Sequence, residues 1–474
     1  MDLKKSLTLS DRIRKAVVDV VLSSTGHGFP NIIRSNNFFI KFMWIFFTIL
    51  SSSFCIFLIT ESILSYFKYE VTTKTRVINE IMAIFPTVTV CNMNYFTSIY
   101  SLKFIEAFKS EMNAKINPLS TLFETIAKMH SKEEKFTFLK ENYGDSLDKL
   151  VVYCQYNYED CNLTDFKFFL HPNYGNCYQF NSGFDSHGKK NDLKYAMTTE
   201  RLSGLRLILN ISVTQKLKFM NPSTGAVIFI HNHTTYPMMV DTITLAPKTE
   251  TSISLSRTFY ESKQKPYSNC DAKTNDMNSY NSEYYKLVHE NTKAYGQTLC
   301  IHQCIQKFFI ENCDCFVADY PCFYNSMPCN LTTWQNCIGI AFQYIKKGDY
   351  LNQECEQKCP LECQRMWFDK TVSTNEFSNS MYEDFLQEYD GSDSIYFNQS
   401  FDSKDFAVVN VYYGNLGFIS VSESPTTDVV GLLSNIGGVA GLFLGISLLT
   451  FVEILEIIIN IIFVLKNRKI NIVD

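Results

Sequence analysis

One stretch near the end of the chain constrains it more than any other. It is Gly431 to Val464, GLLSNIGGVAGLFLGISLLTFVEILEIIINIIFV. From Gly431 to Val452 it runs 22 residues without a charge, long enough to cross a bilayer. Glu453 and Glu456 then interrupt it before the apolar pattern resumes. Gly437, Gly441 and Gly445 recur every four residues and share one helical face, and small residues at that spacing let helices approach closely in lipid. Ser434 and Asn435 are polar, and the two glutamates lie three apart on one face. A carboxylate within a membrane is costly unless it faces water or a partner, so it marks a pathway. The stretch reads as a helix that packs against copies of itself and lines something wet. The plain alternative is a membrane anchor.

A second apolar run, Phe42 to Thr60, has 19 uncharged residues and is also of spanning length. The basic approach to it (Lys4, Lys5, Arg12, Arg14, Lys15, Arg34) lacks the short apolar core and small-residue cleavage site of a signal peptide. Those residues, with Lys466, Arg468 and Lys469 beyond the second span, place both termini in the cytoplasm by the positive-inside rule. The middle is then extracellular. Sequons at Asn162, Asn210, Asn232, Asn330 and Asn398 all fall there. So do 15 of the 16 cysteines, between Cys91 and Cys363, with Cys55 alone in the first apolar run. This clustering argues for an oxidising compartment and a disulfide framework. A net charge of −5 excludes a generally nucleic-acid-binding surface.

The middle region reads as a mixed α+β module. Gly204–Ser212 and Thr251–Phe259 alternate with the period of a strand, and Ala83–Cys91, Ala226–Ile230, Met366–Lys370 and Phe406–Tyr413 are β-branched or aromatic runs. Segments 99–113, 119–140 and Leu299–Ile310 read as helices. The strands near residues 90 and 410 flank the spans, so the expectation is a central sheet joining them.

Cys300 and Cys304 are four apart, and Cys355 and Cys359 repeat the spacing before Pro360. Two antiparallel helices would nest them as Cys300–Cys359 and Cys304–Cys355. Cys313 and Cys315 could pair forward in the same way with Cys337 and Cys329. C-x-C and C-x₃-C spacings also suit zinc, but the compartment and the lack of paired CxxC knuckles favour disulfides, so no metal site is expected. His231-Asn-His233 reads as a surface turn. No GxSxG, Walker or HExxH motif occurs, and the chain is not read as an enzyme.

These residues resemble the degenerin and epithelial sodium channel superfamily, the amiloride-sensitive sodium channels that include acid-sensing and peptide-gated members. The resemblance is carried by His27-Gly28, Phe85-Pro-Thr-Val-Thr-Val-Cys91-Asn92, Pro266-Tyr267-Ser-Asn-Cys270, the cysteine-rich stretch 300–363, and Gly431 through Gly445-Ile446-Ser447, in this order between two spans. It implies a trimer around a central pore, two transmembrane helices per subunit, and a large disulfide-rich α+β extracellular domain. It further implies Cys91–Cys177, Cys154–Cys161 and Cys270–Cys363. Cys55 is then left over, and Cys322 is a free thiol or an alternative partner for Cys329. Gly445-Ile446-Ser447 corresponds to the selectivity tract, where the second span unwinds and carbonyls face the ion. His27-Gly28 corresponds to a re-entrant loop supporting the lower pore. Tyr69 with Tyr267 corresponds to a wrist contact that couples gating to the spans.

The implied organisation is a cytoplasmic segment 1–38, a first span 39–66, and an extracellular domain 67–427 with palm, finger, knuckle and a thumb at about 270–363. A second span 428–465 and a cytoplasmic tail 466–474 follow. A broken helix is tolerated in lipid where its freed backbone faces water or protein, glycine permits the break, and freed carbonyls and rings of carboxylates serve cations. Pore charge would come from Asp428, Glu453 and Glu456, with Gly431, Ser434 and Asn435 in the upper pore. Asn435 replaces the aspartate of acid-sensing members, which puts divalent block and calcium permeation in doubt. Tyr69-Glu70-Val71-Thr72 lacks their histidine, which weakens proton gating. The expected protein is a homo- or heteromeric, ligand-gated Na⁺ channel subunit of the plasma membrane, without a cofactor, with Ca²⁺ as a second candidate ion. Amiloride is the expected blocker and an extracellular neuropeptide the preferred ligand. Proton-gated, constitutive and mechanically gated channels are the alternatives within the class. A pore-less anchored receptor and an ectoenzyme lie outside it.

Overall fold

The computed structural model describes residues 18, 22, 28–111, 142–185, 187–218, 223–238, 242–330, 333–337, 339, 351–376, 405–447, 450–459 and 462. The chain divides into two compact units, Met1–Thr72 with Ser424–Asp474, and Thr73–Glu423.

The first unit begins with α1 (Phe29–Arg34), which carries Pro30 in its first turn, where a missing N–H costs nothing. Then comes α2 (Phe38–Phe67), 30 residues long, capped by the Asn37 side chain accepting from Phe39 N at 3.0 Å. At 1.5 Å per residue it extends about 45 Å. Several of its hydroxyls bond within the helix: Thr48, Ser52 and Thr60 donate to the carbonyls of Trp44, Thr48 and Ile56 at 2.7, 2.7 and 2.8 Å. These side chains therefore present no unpaired polar group to an apolar medium. The outward face is apolar, with Phe39 81% and Ile56 66% exposed. Among the described residues this is the one helix both long and apolar enough to cross a membrane.

The second unit contains most of the strands. In chain order they are β1 (Val71–Ile78), β2 (Ala83–Ile84), β3 (Thr87–Asn92), β4 (Val151–Tyr156), β5 (Glu159–Asp160), β6 (Phe166–His171), β7 (Gly175–Phe180) and β8 (Tyr195–Ala196). β9 (Leu205–Asn210), β10 (Ala226–His231), β11 (Ile243–Leu245), β12 (Thr249–Glu261), β13 (Cys270–Asp271), β14 (Leu361–Glu362), β15 (Gln364–Glu376) and β16 (Phe406–Pro425) follow. Its helices include α3 (Ile99–Glu111), α4 (Glu283–Asn291) and α5 (Gln297–Cys313). A seven-stranded sheet has the order β15-β12-β16-β9-β4-β5, with β1 also on β16, and a five-stranded sheet has the order β11-β10-β3-β7-β6. Leu205, Leu207 and Leu209 of β9 meet Val88 and Val90 of β3 and Ile228 of β10 in one core. Ile208, on the opposite face of β9, joins Phe406 and Val408 instead, as a period of two requires.

The sheet differs from the sequence expectation in one respect. The strand near residue 90, β3, lies in the five-stranded sheet, and the strand that follows α2 and pairs with β16 is β1. Seven of the eight residues of β1 are exposed. Its sequence VTTKTRVI therefore carries no buried stripe, and pairing with β16 specifies it. The expected helix 119–140 lies outside the described residues.

After β16 the chain returns to the first unit. Thr426 N donates to Glu70 O at 2.9 Å, and α6 (Val429–Leu444) begins at Asp428.

Candidate ion pathway

Asp428 caps α6, its carboxylate accepting from Gly431 N at 2.7 Å, where it also meets the positive end of the helix dipole. The helix then presents Leu433, Ser434 and Asn435 outward. It ends at Gly445, whose backbone is left-handed at φ 69° and ψ 18°. Gly445 N donates to Gly441 O at 3.0 Å and Ile446 N to Ala440 O at 3.3 Å, the pattern of a glycine-terminated helix. Ser447 starts a new turn: Thr450 Oγ1 accepts from Ser447 N, and Thr450 N donates to Ser447 O, both at 3.0 Å. A helix resumes over 450–459, with Glu453 half-buried and Glu456 exposed. The apolar stretch is thus two helical pieces separated at Gly445-Ile446-Ser447. A left-handed residue without a Cβ makes the stop possible, because a side chain there costs about 1–2 kcal/mol.

Gly28 precedes α1 and faces α2. A Cβ placed on it would lie 2.7 Å from Thr48 Oγ1 and 2.9 Å from Thr48 Cγ2. The close approach, not the backbone angle, demands glycine here. His27 lies outside the described residues. Thr48 was not singled out from the sequence; its only signal is a small hydroxyl inside an apolar run. Phe54 of α2 stacks on Phe443 of α6 at 6.4 Å between ring centres and 8° between planes.

Tyr69 ends α2 in the left-handed region at φ 52° and packs against Tyr66 and Phe67. Tyr267 follows a cis Lys265–Pro266 bond in a turn where its N–H donates to Gln264 O at 3.2 Å. The two tyrosines belong to different units.

Seven disulfides frame the second unit: Cys91–Cys177, Cys154–Cys161, Cys270–Cys363, Cys300–Cys359, Cys304–Cys355, Cys313–Cys337 and Cys315–Cys329. Cys91 and Cys177 stand directly opposite on β3 and β7 with a Cα separation of 4.4 Å, the close spacing of a non-hydrogen-bonded antiparallel pair. Cys300 and Cys304 project from one face of α5 towards Cys359 and Cys355, each with Cα atoms 5.7 Å apart. Cys55 and Cys322 are free thiols.

Among the sequons, Asn162 and Asn330 are exposed caps of short helical turns, and Asn232 is half-buried in a turn. Asn398 lies outside the described residues. Asn210 corrects the expectation of five glycosylated sites: it is 1% exposed inside β9, and its Nδ2 is enclosed. A glycan on that nitrogen has no way out of the folded sheet. His231 also departs from the surface turn expected of it. It closes β10, with Nε2 2.8 Å from Thr89 Oγ1, and burial lowers its pKa to about 4. No cluster of metal-ligating side chains forms among the described residues.

The described residues thus hold a disulfide-framed two-sheet unit, a membrane-length apolar helix and an apolar helix stopped by a left-handed glycine. The chain belongs to the amiloride-sensitive sodium channel family, whose sequence profile matches residues 21–457. It is 29% identical over 331 residues to the epithelial sodium channel subunit gamma of Neoceratodus forsteri, covering 67% of this chain and 47% of that one. It is 28% identical over 331 residues to the subunit beta of Rattus norvegicus, covering 68% and 49%. The chain thus spans about half the length of the curated relatives it matches. Among solved structures, a proton-activated chloride channel is similar over 87% of this chain and 95% of that one, at a TM-score of 0.32 and 5% identity.

Proposed function

We propose that this chain is one subunit of a trimeric, ligand-gated, Na⁺-permeable cation channel of the plasma membrane, opened by an extracellular peptide. The observation that carries the reading is the interruption of the apolar stretch at Gly445-Ile446-Ser447. Within lipid, such a break is tolerated where the freed carbonyls meet water, an ion or protein. In the proposed topology residues 39–66 and 428–465 span the membrane, 67–427 lie outside, and 1–38 and 466–474 lie inside. The exposed apolar surface of α2 and the seven disulfides support this placement. In the second unit Ile81 is 91% and Met197 64% exposed, apolar surface suited to burial against another copy. Asp428, Glu453 and Glu456 would concentrate cations, Na⁺ first and Ca²⁺ second. Gly28 would seat the cytoplasmic loop, and Tyr69 with Tyr267 would couple the outer domain to the spans. Amiloride is the expected blocker.

The relatives are named as beta and gamma subunits, which favours a second reading. In that reading the chain conducts only within a heteromer of related subunits and opens without a ligand. Expression in oocytes, alone and with related subunits, under acid and under amidated peptides, separates the two. Peptide-evoked current from the chain alone supports the first, and standing current only on co-expression supports the second. Large acid currents without a peptide response sink the peptide as ligand.

A further inference from the structure

Within the second unit, two lysines from distant segments meet on one aromatic ring. Phe184 lies half-buried in the loop after β7. Lys293, between α4 and α5, places Nζ 3.2 Å from the centre of that ring, and Lys167 of β6 places its own at 5.2 Å. Lys293 Nζ also donates to Ser182 O at 3.4 Å. It is thus held on the loop, whereas a lysine head ordinarily stays free in water. Lys293 remains accessible and Lys167 is half-buried. Neither forms an ion pair among the described residues, and Asp165, which precedes β6, pairs with Lys194 at 3.1 Å instead. Asp185, the neighbour of Phe184, turns its Oδ1 to the loop itself, accepting from His187 N at 2.9 Å and Lys189 N at 2.8 Å. An antiparallel bridge sets Lys190 opposite Phe184. His233 stands in the turn after β10, close enough to Lys293 for the two charges to interact. Burial, and after it the Lys167 charge, lowers the Lys293 pKa to about 8. Burial, and after it the Lys293 charge, lowers that of His233.

Like charges held together repel, and an anion that accepts from both relieves the cost. Lysine serves phosphate groups as a point charge. A tetrahedral oxyanion carries oxygens in several directions, so one head group can accept from two ammonium groups gathered around a ring. We propose that Lys167 and Lys293, with the His233 ring beside them, bind a tetrahedral oxyanion, the phosphate or sulfate ester of an extracellular molecule. Phe184 keeps the two ammonium groups together through cation–π attraction. That the ligand arrives from outside rests on the reading above that residues 67–427 are extracellular.

The test reads binding rather than current, so a failure of the pore reading would leave its result untouched. Full-length protein in phosphatidylcholine nanodiscs is titrated calorimetrically, in sodium chloride buffer, with glucose 6-phosphate, glucose 6-sulfate and glucose. The expected result is saturable binding of an ester and none of glucose. Binding should weaken about tenfold or more in Lys167→Gln and in Lys293→Gln, the scale of one hydrogen bond to a charged group. Lys293→Arg, which keeps the charge, should stay near wild type. So should Lys273→Gln, which removes an exposed lysine after β13. A second measurement needs no variant: on the wild-type chain, bound ester should slow acetylation of Lys293 and leave that of Lys273 unchanged, read by mass spectrometry. Binding of the phosphate alone or of the sulfate alone assigns the ester; either upholds the oxyanion class. Equal losses in Lys273→Gln and Lys293→Gln, glucose bound as tightly as the esters, no protection of Lys293, or no ester binding at millimolar concentration overturns the proposal.

Discussion

At Gly28 one missing methyl group decides whether two pieces of chain can meet. Adding a Cβ there places it 2.7 Å from Thr48 Oγ1, whereas the Thr48 Cβ is 3.4 Å away. Overpacking of this kind costs typically about 1–3 kcal/mol. Gly28→Ala should therefore reduce current several-fold, and adding Thr48→Ala should restore most of it. Current from the single variant equal to wild type, or a double variant no better than the single, would show that the contact is not the constraint. His171 sets a second residue-scale expectation. It is 2% exposed, and burial lowers its pKa from 6.5 to about 4. Its contribution to stability is complete above pH 6.5 and drains away as the pH falls toward 4, with a limit of about 3 kcal/mol. Thermal unfolding of the full chain should show a midpoint that falls over that window. The slope should flatten in His171→Phe, which cannot titrate, and an unchanged slope would remove His171 as its source.

Two elements carry most of the architecture, the cysteine ladder on α5 and the broken α6. The nested bonds Cys300–Cys359 and Cys304–Cys355 close overlapping loops, with sequence separations of 59 and 51. With one bond intact, the other closes only a short ring. On the chain-entropy account removing either alone costs about 3 kcal/mol and removing both about 7 kcal/mol. Serine pairs at each bond and at both, compared by denaturant unfolding, should thus be more than additive, and simple additivity would contradict nesting. Elements of this kind were legible because their signal is a spacing: four residues between cysteines, a glycine row, an alternating Leu205-Leu207-Leu209. Elements without a one-sided pattern were not. β7 is buried throughout and so shows no alternation, while β1 is exposed almost throughout and owes its existence to β16. The Gly28–Thr48 contact joins residues twenty apart in the chain, which no local period reports. Asn210 was misread because a sequon records three residues and not the sheet that buries the first.

The whole molecule is a family member with a disulfide-braced, two-sheet unit and an apolar unit in which the stretch begun by α6 is interrupted. In the proposed function the interruption at Gly445-Ile446-Ser447 selects the ion. Its most direct test is the reversal potential of the current this chain carries, alone or with related subunits, for wild type and for Gly445→Val. Valine at a left-handed position should distort the tract and leave surface expression intact. The wild-type reversal potential should move by close to the single-charge value of about 59 mV per tenfold change when external Na⁺ changes tenfold. The variant should show lost or non-selective current. A reversal potential indifferent to Na⁺, or a Gly445→Val channel with the amplitude and selectivity of the wild type, would contradict it.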